Sequence, residues 1–155
     1  AQPEQITLVP EKREEVTTEG GLNVLKSYTE LGIVMSSFQK KKIIVSLFID
    51  PDFDQIKAAA DLGAEFIELH TGHYANANAR LRPKQLDKLM KGAQIAIDNG
   101  LRVNAGHGLN YTNVQDILKL PGLEELNIGH AIISRAVFTG LTQAVREMKE
   151  IIIRG

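Results

Sequence analysis

Cysteine is absent from this 155-residue chain. That excludes a disulfide framework, thiolate catalysis and any cysteine-based zinc site. Net charge is nearly absent too. Eighteen Lys and Arg against 19 Asp and Glu leave a formal −1 with no long basic run, which gives nucleic acid or an anionic membrane little to attract. No apolar run approaches the roughly 18 residues that cross a bilayer. The residues after Ala1 are polar, without the basic and apolar regions of a signal peptide. A cytoplasmic protein with neither a membrane nor a nucleic-acid partner is the expectation. What is present is ordinary: 43% hydrophobic and 24% charged residues, enough for a single domain with a core.

Five short apolar runs read as strands: Gln5 to Val9, Ile43 to Ile49, Phe66 to Leu69, Arg102 to Asn104 and Glu125 to Ile128. Helical patterns lie between them. Leu25 to Phe38 has near-helical apolar spacing, and Asp54 to Leu62 is closed by Gly63. Pro83 suits the first turn of a helix ending at Asn99-Gly100. Asn113 to Leu120 forms a short helix capped by Thr112 or Asn113 and stopped by Pro121. Thr139 is placed to cap a last helix carrying Leu141, Val145, Met148 and Ile152. Alternating strands and helices imply a parallel α/β sheet with right-handed crossovers. An open doubly wound sheet and a (β/α)₈ barrel both satisfy this order, and the pattern does not choose between them. Five units are too few for a complete barrel of about 250 residues.

The chemistry gathers at strand ends. Val103-Asn104-Ala105-Gly106-His107-Gly108 is a strand running into a glycine-flanked histidine, and Leu126-Asn127-Ile128-Gly129-His130 repeats the idea. Glycine there lets a ligand approach the backbone, and histidine supplies a titratable ring. Period-2 alternation puts Phe66, Glu68 and His70 on one strand face. A carboxylate inside a parallel strand is expensive without a partner or a task. Glu68, Asn104 and Asn127 at similar depths in three consecutive strands, taken as buried, point to a functional centre. His107 fits general acid or base chemistry. The backbone N–H groups of Gly129 and His130 fit a phosphate, as loops after the last barrel strands do. Each also has a plainer reading: Glu68 paired with a lysine or facing water, His107 bonded to a loop carbonyl. Four histidines lack His-Glu-x-x-His or another recognised ligand spacing, so no metal is expected. The loop from Val9 to Gly21 carries adjacent threonines and a Gly-Gly pair, alone a weak ligand signal.

Long ordered runs then resemble one family. They are Leu8-Val9-Pro10-Glu11-Lys12-Arg13, Glu15-Val16-Thr17-Thr18-Glu19-Gly20-Gly21-Leu22, Val45-Ser46-Leu47-Phe48-Ile49-Asp50 and Gln55-Ile56-Lys57-Ala58-Ala59-Ala60. With them go Phe66-Ile67-Glu68, His70-Thr71-Gly72, the run from Val103 to Leu109, and the run from Glu125 to Ile133. The chain resembles the pyridoxine 5′-phosphate synthase family of vitamin B6 biosynthesis. The resemblance implies a (β/α)₈ barrel and a condensation of 1-deoxy-D-xylulose 5-phosphate with 3-amino-2-oxopropyl phosphate. That reaction closes the pyridine ring and releases phosphate and water. It implies no cofactor and a homo-oligomer. By the same resemblance His107 is the catalytic proton donor and Glu68 a transition-state-stabilising carboxylate. Thr17 contacts the deoxyxylulose phosphate, and Gly108, Gly129 and His130 contact the aminooxopropyl phosphate.

The chain also departs from the family's pattern. The family's first three βα units carry another catalytic histidine, a glutamate base and phosphate-gripping arginines, and no such motifs stand here. The chain therefore reads as the last five units, roughly strands 4–8, with the N-terminal units absent and no activity expected from it alone. His73 after Thr71-Gly72 and Asn23 after Gly21-Leu22 are smaller departures in loops. Two other classes stay open: a different phosphate-binding barrel such as an isomerase or aldolase, and a non-catalytic phosphosugar-binding half-barrel. No lysine stands inside the three informative strands to form an aldolase Schiff base.

Overall fold

The computed structural model describes Gln2 to Pro10 and Gly20 to Gly155. Five strands, β1 (Gln5–Leu8), β2 (Ile44–Ile49), β3 (Phe66–His70), β4 (Arg102–Gly106) and β5 (Leu123–Asn127), form one sheet. The helices are α1 (Tyr28–Gln39), α2 (Phe53–Asp61), α3 (Gly72–Ala75), α4 (Arg82–Asp98), α5 (Val114–Ile117), α6 (His130–Thr139) and α7 (Leu141–Arg154). Every strand pair is parallel, and strand order in space equals strand order in sequence. A doubly wound sheet reverses its order at a switch point. This sheet winds in one direction only, as consecutive units of a (β/α)₈ barrel do.

The two sheet faces differ in chemistry because side chains alternate. Val45, Leu47, Ile49, Ile67, Leu69, Val103 and Ala105 are buried in one core with Met35, Ile56, Ala59, Leu89, Ala93 and Ala96 of the helices. The opposite face carries Ser46 and Phe48, then Phe66, Glu68 and His70, then Asn104 and Gly106. Register sets Phe48 beside Glu68 and Glu68 beside Asn104. Ser46 Oγ and both amide atoms of Asn104 are buried on this face with no hydrogen-bond partner among the described residues. Polar atoms without partners are rare in interiors and gather where a fold serves function.

Local sequence explains most boundaries. Asp52 caps α2 by accepting from the N–H groups of Asp54 and Gln55, both at 3.1 Å. Pro83 stands in the first turn of α4 as expected. Two expectations need correction, and one helix goes unread in the sequence. Thr139 does not cap the last helix: its hydroxyl donates back to Arg135 O (3.1 Å), and Gly140 at φ +81° separates α6 from α7. The helix expected over Asn113 to Leu120 is only Val114–Ile117, and the Asn113 side chain accepts from Asn110 N–H instead of capping it. Helix α6 was not foreseen at all. Its face carrying Ile133, Val137 and Phe138 is exposed, with Phe138 at 88%.

Candidate active site

The C-terminal ends of β2, β3, β4 and β5 converge on a cavity of about 760 Å³. Phe48, Glu68, His107, Asn127, Gly129 and His130 all line it. Strand β3 delivers Glu68 by simple alternation. Strand β5 brings Asn127, whose side-chain N–H donates to Glu68 Oε2 at 2.9 Å. The plainer expectation, a lysine partner for Glu68, is thus replaced by a neutral amide that brings no positive charge to the carboxyl. Asn127 is itself exposed, as is most of β5, because that strand is the edge of the sheet. The expectation of three equally buried polar positions holds for Glu68 and Asn104 and fails for Asn127.

Burial pushes the Glu68 carboxyl up from 4.5 to about 7. The hydrogen bond from Asn127 opposes that rise, and the nearby Glu125 adds to it. A carboxyl poised there becomes fully ionised when a cation arrives beside it. Space for it depends on Gly106. A Cβ at that position would run into Glu68 Oε1 and come within 3.0 Å of Asn127 Cβ. Gly106→Ala is expected to evict the carboxylate and cost about 1–3 kcal/mol of stability. Denaturant melts of the variant and its parent check this, and equal midpoints contradict it.

His107 follows β4 at φ +82°, in the left-handed region where residues with a Cβ are rare, and Gly108 follows at φ +76°. The strained turn is latched from β3. Thr71 N–H donates to Gly106 O (2.8 Å), and the Thr71 hydroxyl lies between Gly106 O and His107 O at 2.7 and 2.5 Å. The backbone is thus over-determined, as strained functional residues require. Burial, and secondarily the positive potentials of His70 and His130, hold the His107 ring below the usual histidine value of 6.5. A neutral ring that binds its proton loosely is suited to passing it on.

Gly129 is the N-cap of α6 and His130 its first residue, so the first-turn N–H groups of this ten-residue helix open at the cavity's rim. A Cβ on Gly129 would meet nothing within 4 Å. Gly108 is exposed beside His107. Thr17 lies outside the described residues. The structure therefore brings Glu68, His107, Gly108, Gly129 and His130 to one cavity.

One pair was missed in the sequence. His70 Nδ1 and Asp50 Oδ1 are 2.8 Å apart, and Gly21 N–H donates to Asp50 Oδ2 at 3.2 Å. These two hydrogen bonds hold the Asp50 carboxyl below its usual range, that with His70 most strongly. The buried His70 ring packs 5.1 Å from those of both His107 and Phe48, centroid to centroid. Alternation placed His70 on the Glu68 face. Its acidic partner, 20 residues earlier and just past the end of β2, left no local signal.

A singly wound parallel sheet of consecutive βα units places the chain in the βα-barrel class, whose sites lie at the C-terminal face. Residues 1–154 match the family model described as "Pyridoxal phosphate biosynthesis protein PdxJ". The chain belongs to this family. It is 60% identical over 148 residues to a pyridoxine 5′-phosphate synthase from Crocosphaera subtropica, covering 95% of this chain and 62% of that protein. A synthase of the same name from Synechococcus sp. (strain JA-2-3B'a(2-13)) is 58% identical over 149 residues, covering 96% and 62%. One from Sulfurihydrogenibium sp. is 52% identical over 153 residues, covering 99% and 63%. The chain spans about 62% of the length of the first of these relatives. No helix among the described residues is long and apolar enough to cross a membrane.

Proposed function

We propose that this chain supplies the later five βα units of a pyridoxine 5′-phosphate synthase. The protein condenses 1-deoxy-D-xylulose 5-phosphate with 3-amino-2-oxopropyl phosphate and releases phosphate and water. The observation that carries this reading is the meeting of Glu68, His107 and the α6 N-terminus in one cavity. Ring closure joins an amine to a carbonyl and then expels water and phosphate, so it needs a proton carrier and a counter-charge for cationic imine intermediates. It also needs anchors for phosphate.

Each need has a residue. His107 takes up a proton and delivers it to the leaving oxygen. Glu68, oriented by Asn127, ionises as positive charge develops on the imine nitrogen and stabilises it. Gly108, Gly129 and His130 hold the phosphate of the aminooxopropyl substrate through backbone N–H groups, and Thr17 contacts the deoxyxylulose phosphate. The protein works in the cytoplasm as a homo-oligomer. The exposed apolar face of α6 supports a further packing partner there.

The test is a family-length protein given both substrates, which is expected to form pyridoxine 5′-phosphate. Turnover of deoxyxylulose phosphate alone would favour an isomerase or aldolase instead. None of the five strands contains the lysine an aldolase needs. The 155 residues by themselves are expected to form no product, and steady turnover by them overturns the assignment to five units of a larger site.

A further inference from the structure

Behind His70 lies a second cavity of about 530 Å³, lined by Asp50, Asp52, Gln55, His70, His73 and Lys88 among others. It is distinct from the cavity that holds Glu68 and His107. On its wall Asp50, His70 and His73 each present one donor atom, and the three atoms lie within 4.8 Å of one another. We propose that Asp50, His70 and His73 form a binding site for one divalent first-row transition cation, of the Zn²⁺ or Co²⁺ type.

Two imidazoles and one carboxylate are the donor set such ions take, leaving further positions for water or a ligand. The three donors come from three places: the end of β2, the end of β3 and the first turn of α3. Asp50 Oδ1 and His70 Nδ1 now face each other across 2.8 Å. An ion in place of the proton between them needs those donors about half an ångström further apart, given metal–donor bonds near 2.0–2.2 Å. Asp50 is half-exposed and has room to yield. His73 is exposed, and its ring centroid is 5.5 Å from that of His70, so a change of rotamer completes the set. The second carboxylate oxygen is already fixed by the Gly21 N–H, an outer-shell contact of the kind that orients metal-binding carboxylates. The cavity supplies the space for the remaining coordination positions.

Local spacing does not mark this set, because its three donors match no recognised ligand pattern along the chain. Asp50 and His70 are neighbours only through the parallel pairing of β2 with β3. The ion has no step in the ring closure proposed above, and the site stands or falls separately from it.

The experiment is calorimetric titration of the family-length protein, stripped with chelator, using Zn²⁺ as probe, with Co²⁺ absorption as a second readout. One equivalent is expected to bind with a visible Co²⁺ spectrum of low coordination number. His73→Ala, at an exposed position that leaves packing intact, is expected to weaken binding at least about tenfold, and Asp50→Asn likewise. His130→Ala is expected to leave affinity unchanged. Absence of binding at millimolar Zn²⁺ overturns the proposal. So does binding that His73→Ala leaves untouched, or that His130→Ala weakens as much.

Discussion

Replacing His107 by alanine is expected to slow ring closure about 10²- to 10⁴-fold, the usual worth of a positioned acid or base. The Thr71 latch and the core beneath β4 do not involve the ring, so the fold should survive. Glycine at the same position separates chemistry from strain. At φ +82° any residue with a Cβ carries a cost that glycine does not. His107→Gly is therefore expected to be as inactive as His107→Ala, yet more stable than it by about 1 kcal/mol. Paired thermal melts and turnover assays check both halves. Equal stability would mean that the turn relaxes when the ring is lost, and near-normal turnover would remove His107 from the reaction.

Glu68→Gln is expected to cost about 10²- to 10³-fold in turnover, comparable with losing one fixed charge-stabilising group. Its effect on stability depends on pH, and the sign follows from where the proton sits. In the unfolded chain the carboxyl ionises near 4.5, while in the folded chain burial keeps it protonated to about 7. Between those values the folded state binds more protons, so stability falls as pH rises. The penalty is absent below about pH 4.5, grows to about 3 kcal/mol by pH 7 and is then constant. Glutamine does not titrate. The stability gained by Glu68→Gln relative to the parent should thus rise across this window, measured by denaturant melts in metal-free buffer. A difference independent of pH would show that Glu68 is well solvated in solution.

The parts legible in the sequence were those whose signal is local. Strands β2, β3 and β4 are apolar runs with turn residues at their ends; Glu68 stood out as a carboxylate inside β3 and His107 as a glycine-flanked histidine just after β4. Strand order was not local. Only pairing in space showed that the sheet winds one way. Helix α6 was hidden because its apolar run Ala131-Ile132-Ile133 follows β5 closely and fits a strand as well as a helix. Thr139 looked like a cap because a threonine beside a glycine fits either end of a helix. Partnerships were the least legible. Asn127 with Glu68 spans 59 residues and His70 with Asp50 spans 20, so each depends on strand register rather than spacing.

The central claim is that Glu68 and His107 serve one reaction in one cavity, and a double-mutant cycle tests it most directly. Rates of pyridoxine 5′-phosphate formation are compared for the parent, Glu68→Gln, His107→Ala and the double variant in the family-length protein. Residues that act as a unit lose their effect together, so the double variant is expected to be about as slow as the slower single variant. Losses that multiply independently, or a parent that forms no pyridoxine 5′-phosphate, would contradict the account.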